Sequence, residues 1–172
     1  MDWSRMFKAP VVVFGCGNTL FGDDGLAPRA VAELAAEHEG RERDVAFVDA
    51  GTSVRSLLAD LLLLGQAPGR LVVVDVVRDS GLEPGALSEL RLGPPEPDLP
   101  ERAMSLHQAP TPFLLRAMRD RLRCEVRVLS VQAARIPELM EEGLSPQALA
   151  ALPALKEAIV SLCRTPSERS TQ

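Results

Sequence analysis

At 172 residues the chain has room for one domain and little more, and with 46% apolar residues it can bury a sizeable core. Aromatics make up only 3% and the net charge is −5, so the stacking surfaces and concentrated cation that nucleic-acid partners need are missing. Cys16, Cys124 and Cys163 form neither a disulfide framework nor a zinc ribbon, the N-terminus lacks a signal-peptide apolar stretch, and no apolar run nears the roughly 20 residues of a membrane span, which together predict a cytoplasmic protein without a membrane partner.

Val11-Val12-Val13-Phe14 is a short β-branched run and predicts a strand buried on both faces, followed by the tight loop Gly15-Cys16-Gly17-Asn18. Over residues 25–39 the apolar positions Leu26, Ala30, Val31, Leu34 and Ala35 recur at helical spacing, with Asp23 and Asp24 where helix caps belong and Pro28 in the first turn. Val45-Ala46-Phe47-Val48 predicts a second strand, closed by Asp49-Ala50-Gly51-Thr52. A Leu-rich helix over residues 53–64 then stops at a Gly- and Pro-containing turn. Residues 71–74 have the composition of a central parallel strand and deliver Asp75, and residues 86–92 alternate as an edge strand would. Residues 93–100 are Pro-rich and aperiodic. A helix is expected over residues 111–121, a strand over 126–131, and a last helix to about Cys163, with Ser145 as its N-cap and Pro146 at its first position. Arg116, Arg119, Arg121 and Arg123 are interrupted by apolar residues and read as a solvated helix end. Strands alternating with helices predict a single three-layer α/β/α domain over residues 1–163 around a mostly parallel twisted sheet, with a polar tail over 164–172.

In an open parallel sheet, ligands gather beyond the carboxyl ends of the strands. Asp23 and Asp24 follow the first strand, Asp49 the second and Asp75 the third. In the common order 2-1-3 the first and third strands are neighbours, so Asp24 and Asp75 are expected to face one space. Gly15-x-Gly17 invites a dinucleotide reading, but Leu20 stands where a third glycine belongs and two carboxylates at the helix mouth would repel pyrophosphate; no nucleotide is expected. Each candidate also has a plainer role: a helix cap for one of Asp23 and Asp24, a loop-amide acceptor for Asp75, a filled apolar gap for Cys16. His38 lies between two glutamates at an exposed helix end, whereas His107 precedes a helix and could join two carboxylates in an O,O,N donor set suited to nickel, zinc or cobalt.

The stretch VVVFGCGNTLFGDDGLAPRAVAEL resembles the N-terminal signature of the hydrogenase maturation protease family, a strand followed by G-x-G-N-x-L-x-x-D-[DE]-G. Later pieces match in order: Asp49-Ala50-Gly51-Thr52, Val74-Asp75, Ser105-Leu106-His107-Gln108, and the G-L-S-P segment that opens the last helix. The resemblance covers most of the chain and implies an α/β sandwich around a five-stranded sheet. It implies an endopeptidase that removes the C-terminal extension of a nickel-loaded hydrogenase large-subunit precursor. It places metal contacts on Asp24, Asp75 and His107, substrate contacts on Gly51 and Thr52, and catalytic roles on the two aspartates, with nickel supplied by the precursor. The VVVDVV strand and SLHQ segment look most like the subgroup serving deazaflavin-reducing hydrogenases. Asp24 departs from the glutamate common in the family, Ala27 from a glycine, and residues 132–138 are irregular. A non-catalytic nickel-sensing or nickel-delivery protein would need the same three residues.

Overall fold

A computed structural model describes residues 6–38, 44–90, 92 and 111–164. The Pro-rich stretch, His107 and the tail beyond residue 164 lie outside them. Among the described residues the element order is β1 (Val11–Cys16), a 3₁₀ turn (Gly22–Gly25), α1 (Leu26–Glu37), β2 (Val45–Gly51), α2 (Val54–Leu64), β3 (Arg70–Val77), β4 (Leu87–Leu90), α3 (Thr111–Leu122), β5 (Glu125–Gln132) and α4 (Pro146–Arg164). The strands form one sheet in the order β2-β1-β3-β5-β4. The pairs β1–β2, β1–β3 and β3–β5 are parallel, and β4 closes the edge antiparallel to β5. The expected α/β/α class, the 2-1-3 order and the edge strand are all present.

The strands are apolar on both faces because helices cover both. Side chains alternate along a strand, and here the alternation sorts residues into two cores. Val12, Phe14 and Cys16 of β1 and Leu71 and Val73 of β3 pack with Leu58 and Leu61 of α2 and Leu114, Leu115 and Met118 of α3. Val13 of β1 and Val72, Val74 and Val76 of β3 pack with Leu26, Ala30, Val31 and Leu34 of α1 and Leu152, Leu155 and Ile159 of α4. Phe14, Leu71, Leu114 and Leu155 are fully buried, and burial of each such side chain stabilises the fold by about 1.5–3 kcal/mol. Ser145 caps α4 as expected, its Oγ accepting the Ala148 N–H at 3.1 Å, with Pro146 in the first position. Arg119 of the Arg cluster pairs with Asp120 and donates to the Leu92 carbonyl.

One expectation fails. Neither Asp23 nor Asp24 caps α1, whose N-terminus has no side-chain cap. The two aspartates instead occupy the 3₁₀ turn before it, and their carboxylates point to separate parts of the protein.

Candidate active site at the carboxyl end of the sheet

The strand order places β1 between β2 and β3, so the chain winds outward from β1 in both directions and a crevice is expected beyond the ends of β1 and β3. Two glycines shape it. A Cβ on Gly15 would sit 2.7 Å from the Ala27 carbonyl oxygen, so α1 can lie close on β1 only over a glycine. Gly17 has φ +128°, and a Cβ there would come within 2.0 Å of the Asp24 carbonyl oxygen. The two glycines that resembled a nucleotide fingerprint thus let the Asp24 backbone fold over the end of β1.

Asp24 and Asp75 arrive from different elements and are held alike. Asp24 Oδ2 accepts the Asn18 N–H at 2.7 Å, and Asp75 Oδ1 accepts the Val76 N–H at 2.9 Å. The second oxygen of each has no hydrogen-bond partner among the described residues. Burial pushes the Asp75 carboxyl above its ordinary value; the Val76 N–H opposes this and the Asp24 charge adds to it. Asp24 and Asp75 therefore share one electrostatic neighbourhood, as the strand-end rule predicts.

Cys16 ends β1 immediately after the paired Gly15 and Val74. It is buried among apolar side chains. Burial pushes its thiol far above the usual range, and the charges of Asp75, Asp49 and Asp24 push it further. A thiol so held cannot supply the thiolate that a cysteine nucleophile requires, which agrees with its reading as a packed hydrophobe.

Gly51 ends β2 and Thr52 follows it. The Gly51 N–H donates to Asp49 Oδ1 at 3.0 Å while its carbonyl accepts the Gly17 N–H at 3.1 Å. The substrate-contact residues expected from sequence are thus tied to the Asp24 loop, with Thr52 exposed at the rim. Asp49 is a third carboxylate in this neighbourhood, absent from the expected site; the signal was its position at the end of β2.

Asp23 is the other residue that sequence reasoning misplaced. It is only 1% exposed. Its Oδ2 accepts the N–H groups of Ala134 and Arg135, each at 2.9 Å, and the Ser145 hydroxyl at 2.9 Å; its Oδ1 accepts the Ser145 N–H at 2.7 Å. Asp23 binds the β5–α4 connection to the first loop, leaving only Asp24 to face the crevice. A cleft of about 780 Å³ between α1 and α4 lies at the opposite end of the sheet. Its Lys156 is paired with Glu33 and Glu37. His38 there meets the Leu34 carbonyl and the Phe47 ring, a structural role.

Residues 28–162 match the family model described as hydrogenase maturation protease. The delta subunit of coenzyme F420 hydrogenase from Methanothermobacter thermautotrophicus is 29% identical over 150 residues, covering 86% of this chain and 90% of that one. The crystal structure of the [NiFe] hydrogenase maturation protease HycI from Thermococcus kodakarensis superposes with a TM-score of 0.66 at 22% identity, covering 89% of this chain and 91% of the other. The hydrogenase maturating endopeptidase HybD from Escherichia coli superposes with a TM-score of 0.61 at 26% identity, covering 90% and 91%. With a model matched over most of its length and the fold of these structures, the chain belongs to the hydrogenase maturation protease family.

Proposed function

We propose that the protein cuts the C-terminal extension from a hydrogenase large-subunit precursor after nickel has been installed, and that it recognises the nickel through Asp24, Asp75 and His107. The observation that carries this reading is the pair of carboxylates at the end of β1 and β3, each anchored through one oxygen by a backbone amide and offering the other. Among the described residues, no group of three His, Cys, Asp or Glu side chains is arranged to hold a metal ion. Two carboxylates alone hold a dication weakly, so donors from His107 and from the substrate would complete the sphere. An oxygen and imidazole donor set fits nickel that cysteines of the precursor already hold. The likeness to the delta subunit of an F420 hydrogenase supports a large subunit of that class as the substrate. We place the reaction in the cytoplasm, in keeping with three cysteines outside any disulfide.

Docking through the substrate's nickel would bring the scissile peptide to the crevice, and such positioning can supply several kcal/mol of the barrier reduction. Water is the nucleophile in this reading, because the Cys16 thiol is held protonated. Asp24 or Asp75 takes the water proton as its oxygen attacks the peptide carbonyl, and returns a proton to the departing amine as the C–N bond breaks. Gly51 and Thr52 line the path of the precursor beside Gly17.

The test is mass spectrometry of purified precursor, nickel-loaded and nickel-free, before and after incubation with the protein. Cleavage of the loaded form alone is expected, falling by about 10³-fold or more in Asp75→Ala and His107→Ala with the folded protein intact. Efficient cutting of nickel-free precursor would end the idea of recognition through metal. Near-normal rates in either variant would remove that residue from the site.

A further inference from the structure

The β5–α4 connection has no place in the mechanism above, yet it is held to the first loop by side-chain and backbone hydrogen bonds. Besides the Asp23 carboxylate, the backbone of the first loop holds it. The Gly22 N–H donates to the Glu141 carbonyl at 2.8 Å, the Glu141 N–H to the Leu20 carbonyl at 2.9 Å, and the Asp23 N–H to the Arg135 carbonyl at 3.1 Å. Phe21 and Glu141 form a parallel bridge.

A segment so fixed presents an unexpected tip. Leu139 is 83% exposed and Met140 72% exposed. Exposure alone does not mark a contact surface, since Leu63 and Leu64 of α2 are also exposed. Leu139 and Met140 differ in standing on a segment hydrogen-bonded to the loop that carries Asp24, and the flexible thioether of Met adapts to varied partners. Leu20, also exposed, continues the apolar strip toward the site. Its N–H donates to Asn18 Oδ1, and the Asn18 N–H holds Asp24. The tip is therefore linked to the candidate catalytic carboxylate through one short run of hydrogen bonds.

Charge and shape narrow the partner. Glu138 and Glu142 flank the tip, are exposed, and carry no ion pair among the described residues. Glu141 alone is engaged, by Arg135. The same segment also lines a groove of about 490 Å³, with Gly22, Arg135, Glu142, Ser145 and Gln147 among its walls; Leu139 and Met140 stand outside that lining. A polar groove beside an exposed apolar pair and two glutamates unpaired among the described residues suits a polypeptide segment bearing apolar and basic side chains.

We propose that residues 134–145 form a docking arm that takes an extended segment of the precursor. Its apolar side chains cover Leu139 and Met140, and its basic side chains meet Glu138 and Glu142. The proposal rests on the proteolytic reading for the identity of the occupant. Asp23 is the positioning residue that fixes the arm against the Asp24 loop.

The test measures both binding and cleavage of nickel-loaded precursor by the full chain. In Leu139→Ser/Met140→Ser the KM and the precursor Kd are expected to rise about tenfold, with kcat within about twofold and melting unchanged. Glu138→Lys/Glu142→Lys should weaken binding as well, by a factor that shrinks as salt rises. The control Leu63→Ser/Leu64→Ser, on exposed positions of α2, should leave both constants in place. Unchanged KM and Kd in both arm variants overturn the proposal. So does a wild-type dimer in light scattering that the Leu139→Ser/Met140→Ser change dissolves, because the occupant is then a second copy. A precursor that binds through the arm but is never cut refutes the proteolytic reading and leaves the arm standing.

Discussion

The two ends of the central strands follow opposite electrostatic rules. At the amino end, Arg70 opens β3 directly across from Glu125, which opens β5. The two pair at 2.8 Å, and the Arg70 guanidinium also donates to the Leu162 and Cys163 carbonyls of the last turn of α4. Arg127 and Glu89 extend the network to the edge strand. A cation on the orphan carbonyls of a helix C-terminus is favoured by both hydrogen bonding and the helix dipole. At the carboxyl end, the charges of Asp75, Asp49 and Asp24 converge on buried Cys16, and none of the three is in an ion pair among the described residues. One end pairs its charges to hold the fold, with Arg70 Nε the one buried polar side-chain atom left without a hydrogen-bond partner among the described residues; the other leaves like charges together, to be relieved by a proton or a bound cation.

The largest expected effect comes from breaking the ion-paired end. Arg70 is 5% exposed, so Arg70→Ala leaves the Glu125 carboxylate its longer contact to Arg127 at 3.5 Å and takes a buried donor from two helix carbonyls. We expect a loss of about 3–5 kcal/mol in urea unfolding, with processing per folded molecule unchanged because the site lies at the other edge. Replacing both partners together, in Arg70→Met/Glu125→Leu, should recover most of that loss. A cost under about 1 kcal/mol for the single change would show that this end is no better satisfied than the other.

How much of this contrast the sequence shows depends on the range of the interactions. Strands and helices were legible because their signals are local: β-branched runs for β1 and β3, helical spacing for α1, and Ser145-Pro146 at the start of α4. Asp24 and Asp75 were legible through a rule about strand ends, which needs only the strand order. Asp23 was not. Its partners Ala134, Arg135 and Ser145 lie more than a hundred residues away, and a cap is the default reading for an aspartate before a helix. Arg70 was hidden for the same reason: the apolar run that marks the strand begins at Leu71, and it takes the fold to bring the end of α4 onto the arginine before it. His107, the imidazole read as the third donor, lies outside the described residues.

A smaller effect, of opposite sign, should follow from relaxing the strained end. Asp75→Asn keeps the Oδ1 acceptor for the Val76 N–H and removes a charge that burial and Asp24 disfavour. The folded-state pKa of Asp75 is raised, so its favourable contribution is complete below the unfolded pKa and disappears as pH climbs through the folded value. The variant should therefore melt about 2–4 °C above wild type near neutral pH, a gain typical of relieving a functional site, while losing processing. The gap should narrow as pH falls toward the ordinary carboxylate range. A gap independent of pH would assign the gain to something other than the Asp75 charge.

The smallest effect separates the ends by thiol chemistry. Cys163 is half-exposed near the amino end, whereas Cys16 is buried beneath the aspartates and Cys124 is fully buried. Native protein treated with iodoacetamide at pH 8 should gain label at Cys163 and lose no processing. Cys16 should stay unlabelled until the chain unfolds, because burial and three neighbouring carboxylates keep its proton on. In Asp75→Asn one of those charges is gone, but desolvation, the larger cause, is untouched, so protection of Cys16 should barely change. Rapid native labelling of Cys16 with loss of cleavage would reverse the assignment: the nucleophile would then be sulfur, and the crowding of aspartates around it would need another explanation.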